Sequence, residues 1–198
     1  MNKPLLLVID FINEIVNTDF PASSCADFVA SNQVMLHANE AIAIAREHGI
    51  DVAHVKVGFS DDYHECARHS NLFKAARQNE LFKLSASGCE FHHQMDVMPE
   101  DEVLVKHRIS AFFQTRLDAL IDERDIDELV ICGVSTNMAV ELTAREAHDK
   151  DIKTTVLIDA CAAATMEAHQ AAIDNLKRLV NVFSVKQWEQ SLGKDAQK

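Results

Sequence analysis

The sequence predicts an α/β domain in which a six-stranded, mainly parallel sheet lies between two helical layers, a three-layer α/β/α arrangement. Three observations predict it. Short apolar runs such as Leu5–Ile9 and Val130–Cys132 read as strands covered on both faces, because a strand with one wet face would alternate polar and apolar residues. Helical patterns separate these runs, and strands alternating with helices pair in parallel through crossovers. The 198 residues contain no internal repeat and no low-complexity linker, so residues 1–198 read as one domain. A chain of this size buries roughly 70% of its unfolded surface.

Leu5 to Ile9 is the first strand, and Asp10 ends it, placing a carboxylate at the C-terminal edge of a central strand. A long helix is predicted from about Ala30 to His48, with Val34, Leu36, Ala41, Ile42 and Ala45 as its apolar stripe. Gly49 stops it at the usual C-terminal glycine position. Val52 to Val57 is the second strand. A polar excursion follows from Gly58 to about Asp101, with one helical pattern near Glu65 to Gln78. Excursions this long commonly close over binding sites.

Val103 to Lys106 is the third strand, and Thr115 to Glu123 its helix, with Leu117, Leu120 and Ile121 facing inward. Leu129 to Cys132 and Thr154 to Ile158 are the fourth and fifth strands, separated by a sharp turn at Gly133 and a helix from Asn137 to about Lys150. A last helix from about Met166 to Leu179 leads to a strand at Val182 to Val185. The polar tail from Lys186 to Lys198 is anchored by Trp188.

Composition excludes several function classes. A net charge of −12 repels a phosphate backbone, so nucleic acid is not an expected partner. The opening apolar run ends at Asp10, too early for a signal sequence or a membrane span. Five cysteines with no C-x-x-C pairing argue for reduced thiols and a cytoplasmic location. Cys132 inside a strand and Cys161 among alanines read as core residues.

The stretch from Val130 to Ala147 organises the rest. A parallel strand that feeds a helix presents free backbone N–H groups at the turn, where an anion or a polarised oxygen can sit. Ligands of open α/β sheets bind at such carboxyl ends of strands. Asp10 and Lys106 stand at the ends of two strands expected to be neighbours, and on residues alone they read as either a structural salt bridge or an acid–base pair.

Gly133 to Ala147 reads G-V-S-T-N-x-x-V-E-x-T-A-x-x-A, which resembles the signature turn of the isochorismatase-like hydrolases, the cysteine hydrolase superfamily. That superfamily includes nicotinamidases, N-carbamoyl-amine amidases and isochorismatases. Leu7 to Asn13 resembles its V-I-D-x-Q-N opening, with Ile12 in place of the glutamine. Lys106 to Thr115 resembles K-x-R-x-S-A-F-x-x-T, and Asp159-Ala160-Cys161 followed by His169 fits its D-A-C-A…H segment. The resemblance implies a Rossmann-like isochorismatase fold with Asp10 and Lys106 as catalytic residues. It also implies substrate binding by Asn13, Phe112, Val134, Ser135 and Thr136, a cis Val134–Ser135 peptide, and self-association as a dimer or larger.

The superfamily's nucleophilic cysteine would stand immediately before Val140, and that residue here is Ala139. Cys132 lies seven residues upstream within the strand and Cys161 on another strand's exit, so neither replaces it. Isochorismatases carry a glycine at this point and hydrolyse a vinyl ether with the aspartic acid as proton donor, a precedent that Ala139 suits. The expected function is therefore hydrolysis of a small organic molecule by Asp10 and Lys106 without a cysteine nucleophile. Two alternatives stand beside it: an inactive member that binds a metabolite or partner, and a Cys-to-Ala variant of a cysteine amidase.

No cofactor is expected, and no metal. His64 and His69 are five apart and His92 and His93 adjacent, neither a standard ligand spacing for zinc. The metal motif of the superfamily's nicotinamidases is D-x-H after the second strand, and Lys56 to His64 is read here as lacking it. Phe59, Tyr63, Phe91 and His92 are candidate pocket residues from the long excursion.

Overall fold

The structure is a computed structural model that describes residues 3–20 and 23–195. Six strands form one parallel sheet: β1 (Pro4–Ile9), β2 (Asp51–Val57), β3 (Glu102–Lys106), β4 (Glu128–Val134), β5 (Lys153–Ala162) and β6 (Asn181–Phe183). Their order across the sheet is β3-β2-β1-β4-β5-β6. β1 is central and every residue from Leu5 to Ile9 is inaccessible to solvent, as its unbroken apolar run requires.

The helices are α1 (Asn13–Val16), α2 (Ala26–Ser31), α3 (Val34–Glu47), α4 (Asn71–Gln78), α5 (Leu117–Glu123), α6 (Glu141–Asp149), α7 (Met166–Leu176) and α8 (Val185–Asp195). α3 packs against β1, β2, β5 and α8 as one outer layer, while α6 and α7 pack against each other in the other. The long first helix of the sequence reading is two helices. Gln33, with φ of 54°, breaks it between α2 and α3. Leu36, expected in the apolar stripe, is half exposed, and Met35 and Ala38 are buried in its place.

Gly133 is not the turn. β4 continues through it to Val134, and its φ of 139° brings its Cα against β1. A Cβ here would lie 2.3 Å from the Ile9 carbonyl oxygen, so only glycine allows the two strands this register. The chain then turns at the cis Val134–Ser135 peptide and winds one π-helical turn, Thr136–Val140, before α6. β5 runs past the expected Ile158 across an irregularity opposite Cys132, and the last strand ends at Phe183.

Two further differences bear on the site. The helix expected near Glu65 begins only at Asn71, where the Ser70 hydroxyl accepts from the Phe73 N–H. The supposed tail is α8, whose Val185 and Trp188 are buried against the core. Asp159 caps it by accepting from the Val185 N–H. Residues 196–198 of that tail lie outside the described residues.

Candidate active site

Asp10 leaves β1 in the left-handed region, φ 58°, a conformation that L residues other than Asn and Asp rarely adopt. Its backbone N–H still donates to Val55 on β2, while the side chain turns along the C-terminal edge of the sheet. One carboxylate oxygen accepts from the Val57 N–H at 2.7 Å, and the other is 2.7 Å from the Lys106 ammonium. Lys106 is paired in register with Val57, so the three groups stand on three consecutive strands. The strands of Asp10 and Lys106 are thus not neighbours, as the sequence had suggested. β2 lies between them, and the lysine's four-carbon stem spans the gap.

Both charged groups are almost wholly buried, Asp10 at 3% and Lys106 at 2% exposure. Burial pushes the Asp10 carboxyl above its ordinary value, and the Lys106 ammonium and the Val57 N–H draw it back only in part. Lys106 also donates to the Arg108 carbonyl at 3.2 Å.

A cavity of about 370 Å³ opens above this pair. Asp10, Lys106, Val134, Ser135 and Ala139 all line it, so residues expected from three separate stretches converge there. Ala139 is 4% exposed on the π-helical turn, where the Met138 and Val140 N–H groups both donate to the Ser135 carbonyl. Much of the opposite wall comes from the excursion, notably Leu72, Phe73 and Ala76 of α4 with Leu81 and Phe82 after it.

Asn13, Phe112 and Thr136 are not among the lining residues. The Asn13 amide donates to the Ser87 carbonyl, tying the excursion down. Phe112 is buried in the core with the Lys150 ammonium 5.0 Å from its ring centre. Thr136 is fully buried and its hydroxyl is hydrogen-bonded to His169 Nδ1 at 2.8 Å, so it fixes the turn from behind. Of the four aromatic candidates from the excursion, none lines the cavity. Phe59 and Tyr63 join Phe73 in a small core of their own.

The family model for the Isochorismatase domain matches residues 4–187. The chain belongs to the isochorismatase family. YecD of Escherichia coli O157:H7, an uncharacterized isochorismatase family protein, is 30% identical over 158 residues, covering 79% of this chain and 82% of that one. Ureidoacrylate amidohydrolase RutB of Acinetobacter baylyi is 30% identical over 164 residues, 76% of this chain and 67% of its own. An isochorismatase-like hydrolase from Alkaliphilus metalliredigens superimposes with a TM-score of 0.82 at 25% identity, over 96% of this chain and 99% of that chain. The fold and the hydrolase class follow from these matches.

Within this isochorismatase-family domain the sequence reading missed Cys25 and Ser24, which line the cavity from just before α2. Neither lies in a stretch that carried the resemblance. Burial raises the Cys25 thiol above its ordinary value and pushes Cys89 up to about 11 and Cys161 up to about 12. Burial raises Cys132 well above the ordinary thiol value too. None of these four is held as a thiolate near neutral pH.

Contrary to expectation, Lys56 to His64 does contain a D-x-H pair, Asp62-Tyr63-His64. The structure also brings Asp62, His64 and Glu65 within 4.8 Å of one another. The Ser60 hydroxyl stands among them, 2.6 Å from Asp62, 2.9 Å from His64 and 2.7 Å from Glu65. That is a hydrogen-bonded turn in which Asp62 and His64 are exposed to solvent. None of the three residues lines the cavity, so the donor set does not fit a metal serving this site.

Proposed function

We propose that this isochorismatase-family hydrolase acts on a small organic substrate through Asp10 and Lys106, with no cysteine nucleophile at position 139. The observation that carries the reading is the buried 2.7 Å Asp10–Lys106 contact in a cavity lined at position 139 by alanine. A methyl group cannot attack a carbonyl carbon, and losing a nucleophile typically lowers turnover by on the order of a millionfold. The Cys25 thiol shares the cavity but is held neutral by burial.

What remains is a carboxyl group with a raised proton affinity, which suits it to donate a proton. A vinyl ether is the substrate class this chemistry serves. Protonation of the enol-ether carbon by Asp10 leaves an oxocarbenium ion beside the newly formed carboxylate. Water adds to the cationic carbon and gives up a proton, and the resulting hemiacetal collapses to a carbonyl product and an alcohol. Lys106 stabilises the carboxylate at the moment it forms, and the carboxylate recovers its proton before the next turnover.

Turnover of a panel of vinyl ethers and small amides by the native chain and by Asp10→Asn tests this. Vinyl-ether hydrolysis should fall by about a hundredfold or more in the variant. Native turnover that survives Asp10→Asn would overturn acid catalysis. No turnover of any substrate, with tight binding of a metabolite, would make the chain a binding member of its family.

A further inference from the structure

We propose that the cavity over Asp10 and Lys106 selects uncharged, largely apolar substrates and rejects those carrying a carboxylate or phosphate. The inference rests on the reading that this cavity is where substrate binds, and it adds the substrate's charge class.

The argument begins with the cations. Among the described residues, Lys106 is the one Lys, Arg or His that lines the cavity. Its charge is matched by Asp10 at 2.7 Å, and a further donor bond goes to the Arg108 carbonyl. Arg108 and Lys56, which flank the same strand ends, are turned elsewhere. The Arg108 guanidinium donates to the Glu65 and His107 carbonyls and lies over the Phe113 ring at 5.3 Å. The Lys56 ammonium donates to the Cys89 carbonyl and lies 5.4 Å from the Phe91 ring centre.

With Asp10 ionised and paired to Lys106, an anion entering the cavity would therefore give up its hydration and meet no free countercharge. Desolvating an ion without pairing it is among the largest penalties in recognition. The net charge of −12 adds no long-range attraction to offset it.

The remaining wall points the same way. Phe73, Ala76, Leu81, Phe82 and Ile109 present apolar surface, and Ser24, Asn79 and Asn137 supply neutral polar groups. An apolar body with one uncharged polar end matches this lining, and the volume lies at the small end of the range for ligand sites.

Benzamide and benzoate form a matched probe pair of nearly equal shape, differing in charge. Their affinities for the full chain are measured by calorimetry at neutral and at mildly alkaline pH. Raising the pH favours the ionised Asp10 carboxyl, which neutralises Lys106. Benzamide should bind at least about tenfold more tightly than benzoate at the higher pH, where an ionised Asp10 neutralises Lys106. Ala76→Leu, which fills the cavity, should abolish benzamide binding. Leu72→Arg sets a guanidinium on the half-exposed cavity rim, and should strengthen benzoate binding by about tenfold or more even if Ala76→Leu fails to fold.

At the higher pH, benzoate binding as tightly as benzamide, neither probe binding, or Leu72→Arg leaving benzoate unchanged would each overturn the inference. These measurements need no turnover, so they stand apart from the hydrolytic reading. If phenyl vinyl ether is hydrolysed but its para-carboxylate is hydrolysed faster, catalysis survives and the charge selection fails.

Discussion

Lys106 reaches Asp10 across an intervening strand, and the Val57 N–H of that strand completes the carboxylate's partners. The pair is thus built into three strands at once, and its energetics can be read by mutation. Removing either member alone leaves a buried charge uncompensated, which costs about 3–5 kcal/mol. Asp10→Asn with Lys106→Met removes both charges together, so the double variant should be more stable than the sum of the single losses by about 1–3 kcal/mol. Denaturant unfolding of the four proteins measures this. Strict additivity would mean that the two groups are not coupled.

The raised Asp10 pKa fixes the sign of the pH dependence. Proton donation requires the protonated form, so the rate should be flat at low pH and fall about tenfold per unit above the Asp10 pKa. Lys106→Met withdraws the charge that lowers that pKa, so the limb should move to higher pH. For stability, a carboxyl raised in the native state binds more protons there than in the unfolded chain. Native stability should therefore decline as pH rises from the ordinary carboxylate range to the raised value, and this decline should vanish in Asp10→Asn. A rate that increases with pH would show Asp10 acting as a base.

Gly133→Ala should be severely destabilising. Its new Cβ would sit 2.3 Å from the Ile9 carbonyl oxygen and 2.8 Å from the Ile9 Cβ, at a φ that L residues rarely adopt. A loss of about 3 kcal/mol or more is expected, because both strands are in the buried centre of the sheet. A change of less than about 1 kcal/mol in the unfolding midpoint analysis would show that β1 and β4 can slide apart.

The fold class was legible because apolar runs such as Leu5–Ile9 report burial directly. Strand order was not, since crossover connections leave no periodicity in the chain. That is why β2 was not foreseen between Asp10 and Lys106. The break at Gln33 was hidden for a related reason: no glycine or proline marks it, and the left-handed residue is a glutamine. α8 could have been found. Val185, Trp188 and Leu192 recur at helical spacing, and all three pack on the core. At the site, motif residues divided by role. Asp10, Val134, Ser135, Lys106 and Ala139 line the cavity, while Asn13 and Thr136 hold the structure around it. A motif gives residue types in order, and it does not distinguish a group that touches the ligand from one that positions its neighbour.

The residues after Asp10 give a further measurable consequence. Asn13 donates to the Ser87 carbonyl, and the Glu14 carboxylate accepts from the Phe82 N–H at 2.5 Å. The His92 N–H meanwhile donates to the Phe11 carbonyl. These bonds seat the excursion whose Leu81 and Phe82 wall the cavity. Glu14→Ala should leave global stability within about 2 kcal/mol while raising hydrogen exchange across residues 80–90. It should weaken substrate binding more than it slows the chemical step. Unchanged exchange there would show that the excursion is held by its other contacts alone.

Ala139→Cys is the most direct probe of the turn. Ala139 lines the cavity together with Asp10 and Lys106, so a thiol directed into it from position 139 would share that space with the carboxylate. The thiols already present show what burial does to such a group, with Cys161 pushed up to about 12. A cysteine at 139 would need a base to lose its proton, and the Asp10 carboxylate in the same cavity can serve. The variant should form a covalent adduct with a small amide or aldehyde, visible by intact-mass spectrometry and absent from the native chain. Weak amide turnover should accompany it. Adding Asp10→Asn should lower the adduct rate by about a hundredfold, the usual worth of a positioned base. If Ala139→Cys folds and still forms no adduct with any probe, position 139 is not aimed at the reacting atom. The hydrolase would then have to work from the Asp10–Lys106 side alone.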